Sequence, residues 1–130
     1  MNTAATYLGA TGLVLFSAAT CAASDRPPLL CGGVEPSWSL EIGAEDAVFT
    51  APDTEQIDYA IPHSTRAEGR RWPQVLTLLA QRDTALAILR PIQCSDTMSD
   101  ISFDWTIDVL TQRNGEAIAL TGCCRLRPEQ

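Results

Sequence analysis

One segment near the C-terminus constrains this chain more than any other. Phe103, Trp105, Ile107 and Val109 alternate with Asp104, Thr106 and Asp108. A period of two sends one set to a core and the other to water, and aromatic and β-branched residues suit a pleated surface. Asn114-Gly115 follows, the pair best able to take positive φ at both centres of a two-residue hairpin loop. That loop sets a register. Arg113 faces Glu116, Thr111 faces Ile118, Val109 faces Leu120, Ile107 faces Gly122 and Trp105 faces Cys124. The apolar faces coincide only in this register, since a one-residue slip turns every side chain over.

The register divides the cysteines. The chain carries Cys21, Cys31, Cys94, Cys123 and Cys124. Cys124 falls on the Trp105 face, and Cys123 points the other way. Vicinal cysteines on a strand therefore reach different partners, and a bond between the two would need a strained ring. One bond from each to Cys31 and Cys94 is expected, with the pairing open at this level. Metal binding is disfavoured, because there is no C-x-x-C pair and His63 is the only histidine.

Upstream, the pattern is again that of short strands. Trp38–Ile42 alternates, Gly43–Asp46 reads as a turn, and Ala47–Thr50 returns as a partner. Ile57, Tyr59 and Ile61 form a further strand, which Pro62 is expected to end. Residues 63–71 read as a polar loop that leaves His63 in solvent. Residues 74–89 fit two strands with a turn at Gln81–Thr84, or alternatively one amphipathic helix. The expected fold is all-β: a small antiparallel barrel or sandwich of roughly six to eight strands, stapled by two disulfides.

The N-terminus reads as an export signal over residues 1–23, preceding a single β domain over 24–130. No charged side chain occurs before Asp25, and Leu13-Val14-Leu15-Phe16 forms an apolar centre among small residues. A retained membrane anchor is the competing reading, weakened by the short, Ala- and Thr-rich stretch. Cleavage after Ala23 gives a soluble periplasmic product. Alternatively Ala18-Ala19-Thr20-Cys21 acts as a degenerate lipobox and Cys21 is lipidated at the outer membrane. Four cysteines in an exported domain then fit two disulfides.

Of 130 residues, sixteen are acidic and nine basic, all nine arginine, for a net charge of −7. Such a balance, with scattered arginines, excludes a nucleic-acid binder, which needs a basic stripe. It favours solubility or a cationic partner. No Ser-His-Asp arrangement, nucleophile elbow or phosphate loop is present, and no cofactor is expected.

Three blocks carry a resemblance. They are Cys31-Gly32-Gly33 leading into Glu35-Pro36-Ser37-Trp38-Ser39-Leu40, then Cys94-Ser95-Asp96-Thr97-Met98-Ser99-Asp100, and Thr121-Gly122-Cys123-Cys124. Together they resemble a family of small envelope lipoproteins and periplasmic proteins of Gram-negative bacteria. That family's pattern is a glycine-rich E-P-x-W-S-L opening, C-S-D-G-M-S-D and a terminal G-C. Thr97 stands where the pattern has glycine, and Ser37 where it has an aromatic. The resemblance implies Cys94–Cys123, leaving Cys31–Cys124. It implies an envelope location and no particular activity. Domains similar to lysozyme inhibitors sometimes accompany such sequences, which suggests an inhibitory role.

Candidate binding residues are Glu35, Trp38, Ser95, Asp96, Met98, Ser99 and Asp100. For the mid-chain block the simpler reading is a turn whose Ser and Asp side chains satisfy their own backbone. It lacks the D-x-[DN]-x-[DN]-G calcium pattern. Trp38 reads as a core anchor before it reads as a pocket edge. The functional expectation is a non-enzymatic envelope domain that binds a protein or small ligand, touching a membrane only through an anchor at Cys21. Its narrower form is a lysozyme-inhibitor-like binder of a cationic protein. The enzymatic alternative is a small hydrolase built on Glu35 and Asp96, which needs both in one cleft with a raised pKa.

Overall fold

A computed structural model describes residues 25–128, so the segment expected to be an export signal, with Cys21, lies outside the described residues. The strands are β1 (Leu29–Val34), β2 (Ser37–Ile42), β3 (Asp46–Ala51), β4 (Thr54–Arg66), β5 (Gln74–Leu79), β6 (Thr84–Arg90), β7 (Cys94–Ser95), β8 (Ser102–Phe103), β9 (Trp105–Arg113) and β10 (Glu116–Leu126). Eight of them close an antiparallel barrel in the order β1-β10-β9-β6-β5-β4-β3-β2. This is the chain order itself, so every wall contact except the β1–β10 seam and the β6–β9 step is a hairpin. The small β7–β8 pair is an excursion between β6 and β9.

Alternation fills the interior. Leu29, Leu40, Ile42, Leu76, Leu78, Leu89, Ile107 and Cys124 are fully buried, with Trp38, Phe49 and Tyr59 among them. An eight-stranded barrel is just wide enough for side chains to fill it, and small residues at Ala47, Ala85 and Ala87 leave room for the rings opposite. The β9–β10 hairpin has the register that its sequence dictates, from Arg113 opposite Glu116 to Trp105 opposite Cys124. Asn114 and Gly115 both take positive φ, 52° and 81°. Residues 74–89 form two strands, not a helix.

Three expectations need correction. Pro62 does not end β4, which runs on to Arg66; the proline lies inside a register shift between Ala60 and His63, where its missing N–H costs no ladder bond. Consequently His63 to Arg66 belong to a strand rather than a loop, with His63 opposite Thr77 and exposed as expected. Phe103 does not continue the alternation into β9. The chain bends at Asp104, and Phe103 pairs with Cys94 in the excursion.

Both ends of the barrel are closed by polar side chains. At the upper end, where the β3–β4, β5–β6 and β9–β10 turns lie, Asp83 accepts from Thr111 Oγ1 at 2.9 Å and from Arg113 Nε at 3.2 Å. The Arg113 guanidinium stacks 4.8 Å over the Phe49 ring. Burial, with Asp83 alongside, pushes the Tyr59 hydroxyl up to about 12. At the lower end, residues 25–28 cross the mouth. The buried Arg26 donates to the carbonyl of Gly43 at 2.8 Å, and Gln74 Nε2 to Asp25 at 3.2 Å. Asp25 also pairs with Arg66.

Gly33 and Gly122 of the motif blocks share one physical reason. A Cβ on Gly122 would fall on the carbonyl oxygen of Gly32 and 2.9 Å from Trp38 Cζ2. A Cβ on Gly33 would fall on the indole nitrogen and 3.0 Å from the Thr121 carbonyl. The Trp38 ring occupies space that side chains at 33 and 122 would need. Gly122→Ala should therefore cost about 2–3 kcal/mol, because the obstruction is backbone and cannot swing away. Urea unfolding of the oxidised protein measures it, and an unchanged midpoint contradicts the packing.

Candidate functional site

The excursion leaves the lower end of β6 and lies against the outside of β10. It is fixed there by Cys94–Cys123, while Cys31–Cys124 lies among the buried side chains inside. The one-residue parity of β10 accounts for both bonds. Cys124 faces inward beside Cys31, its direct cross-strand partner, and Cys123 faces outward under the excursion. Covering by Cys94 leaves Cys123 only 5% exposed although it is on the outer face of the wall.

This arrangement builds a groove of about 360 Å³. One side is the end of β1 and the start of the turn after it, Gly32 to Glu35. The other is the excursion from Cys94 to Met98, and Thr121 to Cys123 of β10 form the floor. Two blocks far apart in sequence thus meet, with Glu35, Ser95, Asp96 and Met98 lining one surface. Trp38 does not line it. At 5% exposure the ring lies beneath the glycine floor, which makes it the anchor of the site and not a contact residue. Ser99 and Asp100 lie outside the lining; Ser99 acts through Asp96, and Asp100 is exposed. Sequence reasoning missed Val34, Thr106 and Thr121, which line the groove. Val34 and Thr121 come together only through the β1–β10 pairing, whereas Thr106 lies opposite Cys123 in the β9–β10 register.

Asp96 organises the excursion. Its Oδ1 accepts from the backbone N–H of Met98 at 3.0 Å and of Ser99 at 2.9 Å, and the Ser99 hydroxyl bridges both carboxylate oxygens at 3.0 and 3.1 Å. The Ser99 N–H leads the contacts that hold this carboxyl below its ordinary value. The Thr97 N–H donates to Ser95 Oγ at 3.3 Å. The block is therefore a self-satisfied turn that also presents Met98, 71% exposed, at the rim of the groove. Glu35 and Asp96 do share a cleft, but the shift at Asp96 runs opposite to what a proton donor needs.

Two larger depressions lie elsewhere on the barrel. One of about 650 Å³ lies on the outer wall between Leu86, Leu110 and Ala119 and has no charged lining. The other, about 760 Å³, opens at the upper end over Asp53, Glu55 and Arg82. Neither is pinned by a cross-link. Among the described residues no three His, Cys, Asp or Glu side chains gather as metal ligands.

Thr97 takes φ of 63°, a left-handed conformation that a β-branched residue adopts only at a cost. Thr97→Gly should raise stability by about 0.5–1 kcal/mol in thermal unfolding, less than the full strain because glycine also loosens the unfolded chain. The Asp96 bonds carry a pH signature. Because its folded value is lowered, their contribution is present above the ordinary value of 3.8 and lost as pH falls through the folded one. The Met98 and Ser99 amide resonances should titrate with a midpoint below 3.8. Asp96→Asn should abolish that titration, and a midpoint at or above 3.8 contradicts the turn.

Comparison of the chain with family models, with curated proteins and with solved structures finds no match.

Proposed function

We propose that this is an exported, non-enzymatic envelope domain whose groove binds a cationic, partly apolar segment of another protein. The observation that carries the reading is the convergence of Glu35, Asp96 and Met98 on one cleft held by Cys94–Cys123. Two carboxylates and an exposed thioether offer charge and adaptable apolar contact together. A cross-linked frame limits the entropy lost on binding. Two disulfides are consistent with an oxidising compartment outside the cytoplasm. The uncharged, apolar N-terminus and the motif resemblance support a periplasmic or outer-membrane location. The net charge of −7 favours a basic partner.

A cationic lysozyme is the narrower candidate partner. Titration calorimetry at low salt should show binding that weakens at least tenfold, roughly, as salt shortens the screening length. The double change Glu35→Gln and Met98→Ala should weaken it by about tenfold more, on the scale of two modest contacts. Neither substitution touches the core, so circular dichroism should be unchanged. No heat, no co-elution and no retardation of lysozyme activity would eliminate the lysozyme form.

A further inference from the structure

The arginines are not scattered in space. Of the nine in the chain, only Arg82 and Arg113 lie at the upper end. The other seven fall at the lower ends of strands or in the adjoining loops. Arg26 is turned inward onto backbone carbonyls, Arg66 pairs with Asp25, and Arg90 pairs with Asp108 at 3.0 Å. Arg70, Arg71 and Arg125 are exposed, and Arg127 is half-buried beside Pro28, whose carbonyl accepts its N–H. Acidic groups occur at this end too, beyond the paired Asp25 and Asp108: Glu41, level with Arg125 across β1, and Glu45, Asp46, Glu68 and Asp104. The lower end is thus close to balanced, on a protein whose acidic excess lies elsewhere.

Apolar groups break the surface at the same end. Leu126 is 58% and Ile92 55% exposed. Trp72 and Trp105 meet edge to face, 4.9 Å between centroids, both half-buried. Arginine, tryptophan and isolated aliphatics side by side are the composition of a membrane–water boundary. The chain preceding the barrel also arrives here, since Asp25 and Arg26 cross the lower mouth. Four residues from Cys21 to Asp25 span at most about 14 Å, so any anchoring through the N-terminal segment brings this end, and no other, to the bilayer.

We propose that the lower end of the barrel rests on an anionic phospholipid surface, with Arg70, Arg71 and Arg125 on lipid phosphates and Ile92 and Leu126 at headgroup depth. Guanidinium groups match phosphate oxygens in a forked geometry. The acidic upper end, with Asp53, Glu55 and Glu116, is kept roughly 25 Å away by the strand lengths. That distance is several times a screening length of about 8 Å, so the repulsion expected from a net charge of −7 is largely lost. The inference does not depend on the groove and survives or fails separately from it.

The barrel closes and both disulfides form within residues 25–128, so the chain from Ser24 onward is the test protein, free of the apolar N-terminus. It is floated with vesicles of phosphatidylglycerol and phosphatidylethanolamine, and with vesicles of phosphatidylcholine alone. Co-flotation is expected with the anionic vesicles only. The double change Arg70→Glu and Arg71→Glu should lower the bound fraction constant by roughly tenfold or more, on the scale known for juxtamembrane basic residues. Arg82→Glu at the opposite end should leave it unaltered. Failure to float with anionic vesicles, equal flotation with the neutral ones, or an equal loss from Arg82→Glu would each overturn the proposal.

Discussion

The seam between β1 and β10 is the contact on which the rest of the barrel depends. Every other wall contact joins strands near in sequence and is reached by a short turn or the excursion. The seam joins strands at opposite ends of the domain, and without it both would be open edges with unpaired backbone groups. Cys31–Cys124 lies across this seam, its ends separated by 93 positions in sequence. Cross-linking a loop of that length removes unfolded-state entropy worth about 4–5 kcal/mol in the chain-entropy description. A barrel of about 105 residues has a modest core, so a term of that size decides whether the closed form persists.

The seam also makes the groove. Gly32 of β1 pairs with Cys123 of β10, its carbonyl abuts Gly122, and the absence of side chains at 33 and 122 lets the Trp38 ring close the interior directly behind the wall. The same thinness leaves a depression on the outside, which the excursion roofs from Cys94 to Met98. Core packing and surface recognition are therefore two sides of one requirement. A side chain at 122 would point inward, onto the Gly32 carbonyl and the Trp38 ring that backs the floor of the groove.

Much of this was legible in the sequence where a single local signal sufficed. Strict alternation from Trp105 to Val109, and Asn114-Gly115, fixed strand type, loop and register together, and the register placed Cys123 and Cys124 on opposite faces. Pairing the four cysteines needed more, because geometry left two partners open and only the motif resemblance chose between them. The miss at Pro62 has a plain cause. Proline is excluded from regular ladders but not from a register shift, and a shift depends on the partner strand, which a local pattern does not contain. Phe103 failed in the same way: its side chain fits the alternation, but the excursion supplies a different partner in Cys94. The groove combined both cases. Its residues were visible as two blocks, while their meeting depended on a closure nearly a whole domain apart.

Parity along β10 finally explains why two adjacent cysteines are useful rather than redundant. An inward bond can only secure the seam, since the interior is filled and has no room for a loop. An outward bond can only secure something lying on the wall, since the neighbouring strands are already paired. Placing one cysteine at each parity lets a single strand hold the barrel shut and hold the excursion down, two tasks with opposite geometric needs. Removing Cys94–Cys123 would then free the roof of the groove and leave the core intact, whereas removing Cys31–Cys124 would weaken the seam on which the groove itself is built. The site thus depends on the fold through one bond and on its own rigidity through the other.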